Sequence, residues 1–181
     1  MPKGLQTVGG VRIIDRVARA LRTVTPELVL VSNAPDAAEW LGGVPVVRDV
    51  RPERGALVGI HAALTYARSP VVVVAWDMPF VTPELLQMIS AAAASGPHAV
   101  ICEGVKGWEP CCAWYAPDAL PFIDAMLDAG ERRLGALPDR LPRVERLTHV
   151  DVDGTGDPTR LFFNVNTEAD LAAAETMAAT E

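Results

Sequence analysis

Four consecutive valines, Val71–Val74, followed by Ala75, Trp76 and Asp77, constrain this chain more than any other stretch. β-Branched side chains are stiff and pack well on a pleated surface, and an unbroken apolar run suits a strand covered on both faces. Val71–Trp76 is therefore predicted to be a strand buried on both sides, of the kind found inside a parallel sheet. Its C-terminal end delivers one carboxylate, Asp77, with Met78, Pro79 and Phe80 after it. Ligands of open α/β sheets sit outside the carboxyl ends of the strands. A carboxylate there suits a hard cation, and such a cation commonly accompanies a phosphate. Asp77 is the first candidate functional residue; the plainer alternative is a residue that only shapes a turn or caps a helix.

A chain of 181 residues is expected to form one domain, spanning residues 1–181, with a full hydrophobic core. The net charge of −7 argues against a nucleic-acid surface, although one cleft can still focus positive charge. No apolar run reaches the length of a membrane span, and the start lacks the layout of a secretory signal. Three cysteines, two of them adjacent (Cys111 and Cys112), make no disulfide framework, and their expected role is packing. His61, His98 and His149 lack metal-ligand spacing. A cytoplasmic location is the simplest expectation.

Hydrophobic spacing orders the rest. Gly9–Gly10 marks a turn, and Ile13, Ile14, Val17, Ala20 and Leu21 predict a helix over Val11–Leu21. Short strands are expected at Leu28–Val31 and Val44–Val47, with a short helix at Pro35–Leu41 between them. Leu57–Ala67 reads as a helix. Thr82 with Pro83 opens another, Pro83–Ala94. Ala99–Glu103 and Cys111–Tyr115 read as strands on either side of a Gly104–Gly107 turn. Pro117–Ala129 is a helix closed by Gly130, a helical turn follows at Glu131–Leu137, and Leu147–Val152 is a late strand. Thr167 and Asp170 form a capping box for a final alanine-rich helix. Strands alternating with crossover-length helices imply an α/β class with a mainly parallel sheet.

Several segments occur in a specific order: Lys3–Gly4–Leu5, Arg48–Asp49, Gly55–Ala56–Leu57–Val58–Gly59–Ile60, Asp77–Met78–Pro79–Phe80, Ala129–Gly130–Glu131–Arg132–Arg133 and Phe163–Asn164–Val165–Asn166–Thr167. Together they resemble the molybdenum cofactor guanylyltransferases, over essentially the whole chain. The resemblance implies a three-layer Rossmann-like nucleotidyltransferase fold with a mainly parallel central sheet. It further implies Mg²⁺-dependent transfer of GMP from GTP to a molybdopterin cofactor, which yields a guanine dinucleotide cofactor and pyrophosphate. A molybdoenzyme or its chaperone would receive the product. Family members carry a first strand and a Leu-Ala-Gly-Gly phosphate loop ahead of the lysine, whereas this sequence opens at Met1–Pro2–Lys3. Were that segment truly missing, the expectations would be unpaired backbone groups, an open apolar face where that strand runs, and poor nucleotide binding by the chain alone. A start assigned too far downstream, a trimmed chain and omitted residues are the competing explanations.

Residue by residue, the resemblance assigns Lys3 to the nucleotide phosphates and Asp77 to Mg²⁺. Asn33, Asp49 and Gly59 go to the nucleotide side, where a carboxylate suits the N1–H and N2 donors of guanine. Arg132, Asn164 and Asn166 go to the acceptor, the guanidinium fork suiting a phosphate. Arg133 could serve as Arg132 does, and Arg51 and Arg54 could face anions. The plain readings are a solvated lysine, solvated arginines, a polar turn before the last helix and a glycine tolerated for packing. The acceptor phosphate is itself a nucleophile, so no catalytic triad is required. Rival functions are a pterin cytidylyltransferase or small-metabolite nucleotidyltransferase, and a non-catalytic binding domain.

Overall fold

Turn and cap chemistry explains most of the boundaries. The computed structural model describes residues 2–179. Gly9 and Gly10 both have positive φ (57° and 74°), as a type I′ hairpin turn requires. They close a two-stranded hairpin, β1 (Thr7–Val8) on β2 (Val11–Arg12). The turn thus draws Val11 and Arg12 out of the predicted helix, and α1 (Ile13–Leu21) starts two residues later, with Ile13, Ile14 and Val17 buried. β3 (Leu30–Val31) and β4 (Val46–Val47) pair in parallel, and the helix expected between them is a 3₁₀ turn, Ala37–Glu39. Next come α2 (Ala56–Ala67), β5 (Val71–Val74) and α3 (Pro83–Ala92). Thr82 caps α3 as expected, its hydroxyl accepting from the Leu85 amide at 3.3 Å.

β6 (Ala99–Gly104) and β7 (Gly107–Tyr115) form a hairpin, followed by α4 (Leu120–Asp128), with Gly130 at φ 78° just beyond it. β8 (Val144–Leu147), α5 (His149–Asp153), α6 (Pro158–Leu161) and α7 (Glu168–Ala178) complete the chain. The strand expected at Leu147–Val152 is not formed. Thr148 and Asp151 make a reciprocal capping box that turns the segment into α5, and the strand lies earlier, at β8. Thr167 and Asp170 make the predicted box at α7.

The larger sheet runs β5-β7-β6-β8, and β3-β4 stands as a separate pair. The tight β6–β7 connection forces antiparallel pairing, so β7 opposes both β5 and β6 while β6 and β8 are parallel. β5, β6 and β8 therefore run the same way and β7 alone runs against them, so the sheet is mainly parallel, as expected, with one antiparallel strand. Alternate residues divide the core into two layers. Ala99, Ile101, Ala113 and Tyr115 face α2 and α4. Val100, Cys102 and Cys112 face α3 and the helices near the C-terminus. This gives three layers. Val71 and Val73 join the first layer and Val72 and Val74 the second, so both faces of β5 are covered. None of the four is fully buried, however. The expectation of complete burial fails because, among the described residues, no strand pairs with the edge of β5 opposite β7. Among the described residues no helix is long and apolar enough to cross a membrane.

Candidate active site

Two open strand edges define the site. The Leu30 and Ser32 amides donate into β4, to Pro45 and Val47 carbonyls at 2.9 Å, which turns the polar groups of Val29 and Val31 the other way. On β5, Val71 and Val73 lie opposite Tyr115 and Ala113, and the Ala75 amide donates to the Cys111 carbonyl at 2.8 Å. Val72 and Val74 therefore direct their backbone groups away from β7. Between these edges lies a cavity of about 550 Å³, floored by α2 and running up to Asn33, Asp49, Asp77 and Asn164 at the strand ends. Its walls are the edges of β3 and β5 left unpaired among the described residues, the open apolar face expected where a first strand would run, and the polar groups at the strand ends form its mouth.

One rim of the cavity is built by β3, β4 and the start of α2. Asn33 grips Asp49 twice: its Oδ1 accepts from the Asp49 amide at 3.0 Å, and its Nδ2 donates to Asp49 Oδ2 at 2.5 Å. Asp49 Oδ1 is left for another donor. Gly59 lines the same rim. A Cβ at Gly59 would meet only Val31 Cγ1, at 3.8 Å, an ordinary contact. What the glycine keeps clear is cavity space.

The other rim joins three distant parts of the chain. The Val165 amide donates to the Asp77 carbonyl at 2.9 Å, tying the Phe163–Thr167 segment to the end of β5. Lys3 Nζ donates to Asn166 Oδ1 at 3.0 Å, and the same ammonium acts electrostatically on the Asp77 carboxylate. Asn164 Nδ2 donates to the Phe162 carbonyl at 3.0 Å, and Asn164 lines the cavity. The α7 capping box fixes Asn166 in turn, since Asp170 Oδ2 accepts from the Asn166 amide at 3.0 Å and the Thr167 amide at 2.8 Å. Asp77 and Asn164 thus line the cavity with Asn33, Asp49 and Gly59, while Lys3 and Asn166, bonded to each other next to Asp77, lie outside its lining.

Burial pushes the Asp77 carboxyl above its usual range, and its own backbone amide and Lys3 oppose the rise. A half-buried carboxylate whose charged form is disfavoured in the free protein gains most from an added cation. Among the described residues no group of three His, Cys, Asp or Glu side chains could hold a metal. The donor set fits a hard ion held by a single carboxylate, with phosphate and water oxygens completing its shell. Cys111 lines the cavity, but burial raises its thiol to about 11, so it stays protonated and weakly nucleophilic at neutral pH.

Other candidates lie elsewhere. Arg132 is exposed, in the turn after α4, and does not line the cavity. Arg133 is held by Glu131, whose carboxyl it lowers to about 2. Arg51, read as a residue facing anions, pairs instead with Glu53, Asp124 and Asp128. Trp76, read from the sequence as a core or cleft-wall residue, lines the cavity. The structure stacks it on Trp40 with ring centroids 4.8 Å apart and sets it against Gly4, beside Lys3. The signal available was the position of Trp76, immediately before Asp77.

A three-layer α/β fold with a lysine-flanked carboxylate at a strand end, facing a cavity between strand ends, has the form of a Rossmann-like nucleotidyltransferase. The MobA-like NTP transferase domain model matches residues 1–144, and the chain belongs to that family. It is 30% identical over 175 residues to a molybdenum cofactor guanylyltransferase of Desulfosudis oleivorans, covering 96% of this chain and 85% of that protein. A probable molybdenum cofactor guanylyltransferase of Pelotomaculum thermopropionicum is 34% identical, with 97% and 85% covered. The crystal structure of molybdopterin-guanine dinucleotide biosynthesis protein A from Archaeoglobus fulgidus superposes with a TM-score of 0.83 at 29% identity, covering 100% of this chain and 92% of that one. The protein is accordingly a nucleotidyltransferase.

Proposed function

We propose that the protein transfers GMP from GTP to the phosphate of a molybdopterin-type cofactor, with Mg²⁺, in the cytoplasm. The grouping of Lys3 and Asn166 with Asp77, which shares the cavity with the Asn33–Asp49 pair, carries this reading. The names of the relatives supply the donor and acceptor. An oxygen of the acceptor phosphate attacks the α-phosphorus of GTP, a new P–O bond forms, and the bond to the β-phosphate breaks to release pyrophosphate. The nucleophile is already anionic, so no side chain need remove a proton. The Lys3 ammonium stabilises the charge that builds on the departing pyrophosphate. Asp77 would hold Mg²⁺, which when bound neutralises phosphate charge and so lets two anions approach. Asp49 Oδ1 accepts from guanine N1–H or N2, while Asn33 holds the other oxygen. Asn164 and Asn166 orient the acceptor, and alignment supplies much of the rate. The finished dinucleotide passes to a molybdoenzyme or a chaperone.

The test is nucleotide competition in a transfer assay with molybdopterin cofactor and Mg²⁺. Saturable turnover of GTP, with CTP at least about tenfold poorer in kcat/KM, supports the reading, since a tenfold ratio corresponds to about 1.4 kcal/mol of discrimination. Preference for CTP makes the protein a cytidylyltransferase. Tight pterin binding without turnover of either nucleotide makes it a binding domain.

A further inference from the structure

We infer that Arg51 is a positioning residue that clamps the β4–α2 loop to α4, and thereby fixes Asp49 for the nucleotide; the part concerning nucleotide rests on the function proposed above. The starting observation is a helix that runs against its own dipole. α4 carries Asp124 and Asp128 in its last two turns and no basic residue in its last turn. Carboxylates at that end oppose the negative pole of the helix, and a cation there is favourable. The cation comes from a different element, 73 and 77 residues earlier. Arg51 Nη1 donates to Asp124 Oδ1 at 3.4 Å, and Nη2 donates to Asp128 Oδ1 at 2.5 Å. Glu53, from the same loop, lies 3.5 Å from Arg51 Nε.

The cluster is more than a surface pair. The Arg51 and Glu53 side chains are only 23% and 16% exposed, and Asp124 also meets Nε2 of the buried His61 on α2 at 3.1 Å. Asp124 and Asp128 each accept one N–H, from Nη1 and Nη2, Glu53 flanks the buried Nε without a hydrogen bond, and the guanidinium does not line the cavity. Its mechanical position explains it better. The loop leaves β4 at Asp49, where Asn33 holds it, and re-enters regular structure at Gly55, whose φ of 129° makes the chain swing into α2 without a side-chain cap. Arg51 is the anchor between those points. Because α2 and α4 pack together through Leu57, Ile60, Ile123 and Leu127, fixing the loop to α4 fixes it to the floor of the cavity.

The experiment compares the full-length protein with Arg51→Ala, Arg51→Lys and Asp128→Asn. Backbone order parameters for Asp49–Gly55 and the steady-state constants for GTP are measured on each. In Arg51→Ala the order parameters are expected to fall from rigid values near 0.85 to below about 0.6. The KM for GTP is expected to rise roughly tenfold with kcat changed by no more than about twofold, in the range of couplings between neighbouring residues. Arg51→Lys recovers part of both, and Asp128→Asn shows a smaller effect in the same direction. Unchanged loop order in Arg51→Ala overturns the inference. So does a fall in kcat with KM unchanged, which would put Arg51 in the chemistry. If the wild-type protein does not turn over GTP while Arg51→Ala still loosens the loop, the clamp stands and the proposed function fails.

Discussion

Replacing Gly4 by alanine tests how the two charged residues of one rim are spaced. Gly4 is buried in the 3₁₀ turn Lys3–Leu5, and an added Cβ would come within 2.8 Å of Trp76 Cε3 and 3.0 Å of the Trp76 carbonyl oxygen. Trp76 cannot simply swing aside. It stacks on Trp40, which is 3% exposed and donates from Nε1 to Asp36 at 3.1 Å. The turn itself must move, by the roughly 0.6 Å that separates 2.8 Å from an ordinary contact at 3.4 Å. Overpacking of this kind costs about 1–3 kcal/mol. For a chain of 181 residues that lowers the melting temperature by about 2–4 °C per kcal/mol. Lys3 rides on the same turn, and a misplacement of about 1 Å costs on the order of 10² in rate, so about tenfold is expected here. Calorimetry, tryptophan fluorescence and GTP turnover together provide the assay. A variant melting within about 1 °C of wild type and retaining kcat/KM within about twofold would refute the reasoning.

Gly59→Ala should behave in the opposite way. It gains about 1 kcal/mol of helix stability because only Val31 is near, yet it weakens GTP binding because the methyl group enters the cavity; thermal melting and equilibrium titration check the two signs. Thr167→Ala removes the hydroxyl that accepts from Asp170 at 3.1 Å and should cost about 0.5–2 kcal/mol in urea unfolding, with some loss of turnover because the same box holds Asn166. Asp77→Asn should alter the pH dependence of stability. The folded carboxyl has a raised pKa, so its favourable contribution is complete below 3.8 and is lost as pH rises through the folded value. Relative to wild type, the asparagine variant should therefore become more stable across that window, as unfolding titrations at successive pH values will show.

How much of this was legible depended on the reach of the signal. Gly130, Thr82 and the Thr167–Asp170 box announce helix ends through local backbone chemistry, and each acts as expected. Thr148 and Asp151 carried the same three-residue signal inside a stretch expected to be a strand; the cap prevails, and Val150 lies exposed on α5. Four valines specify a strand but not what lies beside it. The incomplete burial of β5 follows from its open edge, which depends on pairing far along the chain. Lys3, Asp77 and Asn166 were legible as an ordered set of motifs, yet the bond between residues 163 positions apart was not. Arg51 shows the limit most plainly. Nothing around it in the sequence points to Asp124 and Asp128, and an arginine in a polar loop reads equally well as a phosphate ligand.

The most direct measurement compares GMP transfer by Asp77→Asn and the wild-type protein, at saturating GTP and over a titration of Mg²⁺. The account predicts a loss of at least about 10² in kcat, a magnitude typical of removing one electrostatic contact to the reacting phosphates, while the fold and pterin binding persist. A variant that transfers GMP at the wild-type rate with an unchanged Mg²⁺ dependence would contradict it.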